Sequence, residues 1–328
     1  RMRTGSYADA HLLNEMKKII FASAYNNKNM VTMFSPLTIE KLQGMIPAEA
    51  VYVNVAKNRN DLFIWVIDAR DKRTVIIPGG YSTAMKIISG YEADMAAGRD
   101  ISQFGREIGT FLQPMLSLIK NKKNIIFCCD SSTEKIPFEI AGDGPMLCEG
   151  HGIVFIASPF LLNTSPALKA DSVRMISYNE DSQADYLERA AIRESGITCI
   201  ITQKPGSGIV HIAGDMRYSV TDKAFLDGIG RPLTVGAEGA DLVYMTAGDL
   251  ADASVTNLVF AASSGSGGEI GVNNAPVKDI NRGVFINSFY AGLSKGDSPA
   301  GAFRAASDKL RNGRFRHPSN WMGIRIYM

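Results

Sequence analysis

Two short apolar runs end at residues whose types could do chemistry. They are Ile209-Val-His-Ile-Ala-Gly-Asp-Met216 and Asn257-Leu-Val-Phe-Ala-Ala-Ser-Ser-Gly-Ser-Gly-Gly-Glu269. Each reads as a buried parallel strand opening at its carboxyl end into a loop. Ligands and reacting groups gather at such ends in open α/β sheets. One end would carry His211, Gly214 and Asp215, and the other Ser263, Ser264 and Gly265. A serine hydroxyl becomes a nucleophile only beside a base. Asp215 could be that base near neutral pH only if its proton affinity were raised considerably. His211 lies within its apolar run, and its spacing from Asp215 aims it elsewhere. His151, in Glu149-Gly-His-Gly152, and His317, before Pro318, are the remaining base candidates.

Other chemistries fit less well. Ser263-Ser-Gly-Ser-Gly-Gly268 would suit a phosphate if a helix N-terminus followed. It lacks G-x-x-x-x-G-K-[ST], and Asn273-Asn-Ala-Pro276 is not a helix opening, so it reads as a surface loop. The four cysteines, Cys128, Cys129, Cys148 and Cys199, have no chelating spacing and read as buried reduced thiols. No cofactor and no metal is expected. With 45% hydrophobic and 21% charged residues and a net charge of +2, the composition is that of a globular protein without a nucleic-acid surface. No apolar run reaches membrane-spanning length, and the first residues lack a signal peptide's core. A cytoplasmic location is the expectation, with Arg1-Met2 read as a fragment boundary or cloning remnant.

The elements that must position these residues follow from periodicity. An amphipathic helix is expected from Ser6 to Tyr25, and a short capped helix from Ser35-Pro36 to Gly44. Ala50 to Val55, Leu62 to Ile67 and Thr74 to Ile77 form an antiparallel meander joined by polar turns. Thr83 to Ile119 is helical, with breaks near Gly98 and Gln113-Pro114. Core strands are expected at Asn124 to Cys129, Ile153 to Ala157, Val173 to Ser177, Ile197 to Ile201, Ile209 to Ala213, Leu258 to Ala262 and Trp321 to Tyr327. Helices fall at Tyr186 to Glu194, Gly283 to Leu293 and Pro299 to Leu310. This alternation predicts an α/β fold with a mainly parallel sheet flanked by helices.

Several stretches together resemble the CHAT domain family, caspase-like peptidases related to caspases and separase. Asn124-Ile-Ile-Phe-Cys-Cys-Asp130 with Ile136-Pro-Phe-Glu139 resembles the family's strand and "L-P-F-E" signature. Leu147-Cys-Glu149 with Val154-Phe-Ile-Ala-Ser-Pro159 resembles the next strand. His211-Ile-Ala213 is similar to the start of "H-I-A-x-H-G", Met245-Thr-Ala-Gly-Asp-Leu250 to "L-T-A-x-D-L", and Leu258-Val-Phe-Ala-Ala-Ser-Ser264 to "L-V-x-L-S-A-C". Phe289-Tyr290, Ser298-Pro-Ala300, Phe303-Arg-Ala-Ala306 and His317-Pro318 to Trp321 fit the closing pattern. The likeness runs from about residue 37 onward. It implies an N-terminal helix over 1–34 ending upstream TPR-type repeats in the same chain, a pseudo-caspase-like half over 35–160, and a caspase-like half over 161–328.

The departures govern the function. The family's histidine and cysteine positions read Asp215 and Ser264 here, and the segment between Gly268 and Val277 is too short for the family's helix and strand. The resemblance therefore implies a catalytically inactive, degenerate pseudo-peptidase, with His211, Gly214, Ser263 and Gly265 around a vestigial cleft. Its expected role is a scaffold or protein-binding module with protein partners. The alternatives left open are a caspase-like cysteine peptidase inactivated by substitution, and a hydrolase using Ser264 with an unidentified base.

Overall fold

Thr38 opens the first helix, its hydroxyl accepting from the Lys41 amide at 3.2 Å. This helix, α1 (Ile39–Met45), buries Ile39 and Leu42. The cap is therefore Thr38 rather than Ser35. The computed structural model describes residues 38–97, 99–130, 132–156, 159, 170–177, 183–202, 208–214, 217–219, 224–226, 232–233, 240–247, 269–273, 279–313, 317 and 324–327. The expected helix over 6–25 lies outside them. The fold is α/β, and the chain divides into two units, Arg1–Asn163 and Thr164–Met328.

In the first unit the meander forms as expected. β1 (Ala50–Asn58), β2 (Asp61–Ile67) and β3 (Lys72–Ile77) pair antiparallel, and β1 pairs parallel with β4 (Asn124–Cys129). β4 pairs parallel with β5 (Gly152–Phe155), so the strand order is β3-β2-β1-β4-β5. β1 is central and buried over its first seven residues, which explains why they are apolar except for Asn54. Asp130 ties the carboxyl ends of β1 and β4 together. Its carboxylate accepts from the amides of Lys57, Ser132 and Thr133 at 2.9, 3.0 and 2.8 Å.

Between β3 and β4 run α2 (Gly80–Ala96) and α3 (Ser102–Ile119). The break near Gly98 holds, but α3 continues through Pro114. Pro114 and Thr110, whose carbonyl loses its helical donor, both lie on the exposed face, where water can serve instead. α3 faces a single turn of tight helix, Phe138–Ile140, and the loop after it. Phe138 stacks on Phe127 of β4 at 4.7 Å, and Phe127 on Phe155 of β5 at 5.6 Å. Leu147–Gly150 is a helical turn, α4, rather than the start of a strand. The Glu149 carboxylate accepts from the Met146 amide at 2.7 Å, which favours the turn.

A polar pin closes the turn after β2. Asp68 accepts from the amides of Arg70 and Asp71 at 2.8 Å each and from Lys122 Nζ at 2.5 Å. Burial alone would raise its pKa. The hydrogen bonds from Lys122, Arg70 and Asp71, with the Lys122 charge, outweigh burial and hold it at about 2. A folded pKa below the ordinary 3.8 contributes stability above pH 4, and that contribution is lost as pH falls towards 2. Asp68→Asn should therefore cost about 1 kcal/mol at pH 7, allowing for solvent screening, and almost nothing near pH 2. Urea midpoints of both proteins at the two pH values check this.

In the second unit, β6 (Ser172–Ser177), β7 (Thr198–Ile201), β8 (Gly208–Gly214), β12 (Ala240–Ala247), β13 (Glu269–Asn273) and β14 (Ile324–Tyr327) run in the order β14-β13-β12-β8-β6-β7. All neighbours are parallel except β13 with β14. A small antiparallel sheet joins β9 (Arg217–Ser219), β10 (Ala224–Leu226) and β11 (Pro232–Leu233). The helices are α5 (Gln183–Glu194), α6 (Asp279–Ser294) and α7 (Pro299–Asn312), the last capped by Ser298. One expectation is corrected. The segment after Gly268 does hold a strand, β13, because five residues suffice when paired on both sides.

Candidate functional site

β8 runs between β6 and β12 and ends at Gly214, opposite Ala247 of β12. It is the strand whose carboxyl end leads to Asp215. Register pairs Met175 of β6 with His211, and His211 with Tyr244 of β12. Their side chains therefore leave one face of the sheet. α5 and α6 reach His211 there.

The His211 ring is completely buried and engaged at both nitrogens. Nε2 lies 2.8 Å from Glu188 Oε2 of α5, and Nδ1 lies 2.9 Å from the Tyr290 hydroxyl of α6. Arg282, also of α6, donates from Nη1 to Glu188 Oε1 at 3.1 Å. The His211 ring also packs against Tyr244, with centroids 5.3 Å apart. The carboxylate and guanidinium offset each other's charge, and the hydrogen bonds offset much of the desolvation cost. Burial, then the neighbouring Tyr244, Glu188 and Cys199, push the Tyr290 hydroxyl well above its ordinary value.

Sequence reasoning placed His211 in its strand but missed its partners. One signal was available. Glu188 shares the buried stripe of α5 with Ala191 and Ile192, at i+3 and i+4. A carboxylate on such a stripe requires a partner. Tyr290 gave no signal, because an aromatic on an apolar helix face reads simply as core.

Of the other predicted positions, Gly214 ends β8, while Asp215, Ser263, Ser264 and Gly265, with the expected strand Leu258 to Ala262, lie outside the described residues. His151 is structural: its Nδ1 lies 2.5 Å from the Lys122 carbonyl oxygen, in the first unit. His317 is half-buried in a bend. Cys128, Cys129 and Cys148 are buried and not joined in disulfides. Cys199 departs from expectation and is only half-buried, because β7 ends the strand order and has a sheet neighbour on one side among the described residues.

Among the described residues no group of three or more histidine, cysteine or acidic side chains could hold a metal ion. No described helix is long and apolar enough to cross a membrane. Compared with known proteins, the chain matches no protein-family model, and no curated protein matches it.

Proposed function

We propose that this chain is a catalytically inactive, CHAT-type pseudo-peptidase acting as a scaffold or protein-binding module, with a protein as its partner. The state of His211 carries this reading. A general base must present a free ring nitrogen to the group it deprotonates. His211, at the middle of β8, has both nitrogens occupied and no exposure. The position that would hold the family's catalytic histidine is Asp215, and the nucleophile position is Ser264. An ionised carboxylate near neutral pH is a weak base for a serine hydroxyl. A fold does not entail an activity.

The test is a turnover assay of purified protein on a pooled set of quenched fluorescent peptides, alongside Ser264→Ala and the double variant Asp215→His with Ser264→Cys. The wild-type protein and Ser264→Ala should be equally inactive. Peptide cleavage by the wild-type protein that Ser264→Ala abolishes would replace this reading with a serine hydrolase. Cleavage by the double variant alone would leave the wild type inactive and show that the substrate groove persists.

A further inference from the structure

We infer that His211 is the linker, donating from Nε2 and accepting at Nδ1, in a one-directional hydrogen-bond chain that latches the middle of β8 to α5 and α6. The protonation pattern follows from its neighbours. Glu188, whose other oxygen accepts from Arg282 Nη1 at 3.1 Å, acts as an acceptor, so its 2.8 Å contact with Nε2 places the hydrogen on that nitrogen. Tyr290 keeps its phenolic proton, its ionisation being driven well above the ordinary range. That proton must go to an acceptor, and His211 Nδ1 lies 2.9 Å away. The chain then reads Tyr290 O–H to Nδ1, Nε2–H to Glu188, and Arg282 N–H to the other Glu188 oxygen.

A second ring proton would break this pattern. Nδ1–H would point at the Tyr290 oxygen and leave the phenolic hydrogen to find another acceptor. The ionisable groups that face Tyr290 besides His211 are Tyr244, Glu188 and Cys199, and the rest of its described surroundings are apolar. β12 presents the Tyr244 ring, α6 the rings of Phe285 and Phe289, β6 the Met175 thioether, and β7 Cys199, whose sulfur lies 3.9 Å from that of Met175. The imidazolium charge would also sit near that of Arg282, at a position with no exposure.

The latch joins elements that local sequence does not link: His211 lies 23 residues from Glu188 and 79 from Tyr290. Each covering helix grips the same ring of the strand that leads to Asp215. The inference does not depend on the proposed function, since it concerns how β8 is held rather than what binds at its end.

Selective 15N-histidine labelling tests it in the intact protein at pH 7, with His211 assigned by its loss in His211→Gln. The expected spectrum has one protonated nitrogen, Nε2, and one pyridine-like nitrogen, Nδ1. Two protonated nitrogens, or a proton on Nδ1 alone, would overturn the assignment. Tyr290→Phe removes only the donor to Nδ1, and should raise amide hydrogen exchange over 209–213 roughly tenfold while leaving Nε2 protonated. Unchanged exchange in a folded Tyr290→Phe protein would sink the latch. If that variant does not fold, Arg282→Lys gives the second reading. A lysine amine can keep the charge without the guanidinium's fixed geometry, and exchange over 209–213 should again rise. No rise there would equally count against it.

Discussion

Gly109→Ala is expected to destabilise the first unit by roughly 3 kcal/mol, the upper range for forcing atoms into a closed contact. A Cβ at Gly109 would stand 2.6 Å from the Gly142 nitrogen and 2.8 Å from its carbonyl carbon. Both are backbone atoms, so no side chain can swing aside. One turn earlier, a Cβ at Gly105 would meet the Ile140 carbonyl oxygen at 2.8 Å. The Gly105 carbonyl accepts from the Gly142 amide at 3.2 Å. Helix α3 thus meets the segment after Phe138–Ile140 backbone to backbone. Gly142 has no slack either, since a Cβ there would strike the Pro145 carbonyl. Gly90→Ala is the control. Gly90 also lies inside a helix, α2, but nothing stands within 4 Å of its Cβ position. Adding a methyl group there should stabilise the helix by about 0.5–1 kcal/mol. Opposite signs in denaturant midpoints for the two glycine-to-alanine changes would establish the close approach. A Gly109→Ala protein as stable as wild type would refute it.

Those glycines show where sequence reading reaches its limit. The meander was legible because β1, β2 and β3 are apolar runs separated by polar turns, and the first turn falls at Arg59, which adopts a left-handed φ of 56°. β4 matched its expected span because a buried parallel strand leaves an unbroken apolar run between polar neighbours. β13 was missed because Glu-Ile-Gly-Val-Asn is a weak strand by propensity. It becomes one through pairing with β12 and β14. Pro114 misled for the reverse reason: a strong local breaker is tolerated where its helix face meets water.

The site divides along the same line. His211 and its strand could be read locally, whereas Glu188, Arg282 and Tyr290 reach it only through the packing of α5 and α6 on the sheet. Cys199 shows a further limit. An apolar run predicts a strand without saying whether that strand is central or at an edge, and burial of its thiol depends on which. Chemistry-bearing residue types were thus visible in the sequence, but their availability for chemistry was not.

The aromatic packing of α6 sets the other large expected effect. Phe289→Ala should destabilise the second unit by about 4 kcal/mol, as removal of a buried phenyl ring usually does. The ring is fully buried, with centroids 5.3 Å from Tyr290, 5.6 Å from Tyr244, 5.9 Å from Phe285 and 6.4 Å from Phe303. It therefore joins α6 to β12 on one side and to α7 on the other. Phe303 meets Phe285 and Phe289 edge-on, so the seam gains some aromatic pairing energy beyond its buried area. Tight packing limits collapse: a Cβ at Gly292 of α6 would lie 2.8 Å from the Ala302 Cβ of α7. The helices are already in close contact there and cannot move together to fill the void, so the cavity cost adds to the lost burial. Phe289→Leu, which keeps most of the volume, should cost less than half as much. Because α6 also carries Tyr290 and Arg282, Phe289→Ala should also raise amide exchange over 209–213, transmitting a packing defect to the His211 chain. Denaturant midpoints with exchange over 209–213 and 279–294 would measure both effects. A loss below about 1 kcal/mol for Phe289→Ala would mean that the aromatic seam does not anchor α6.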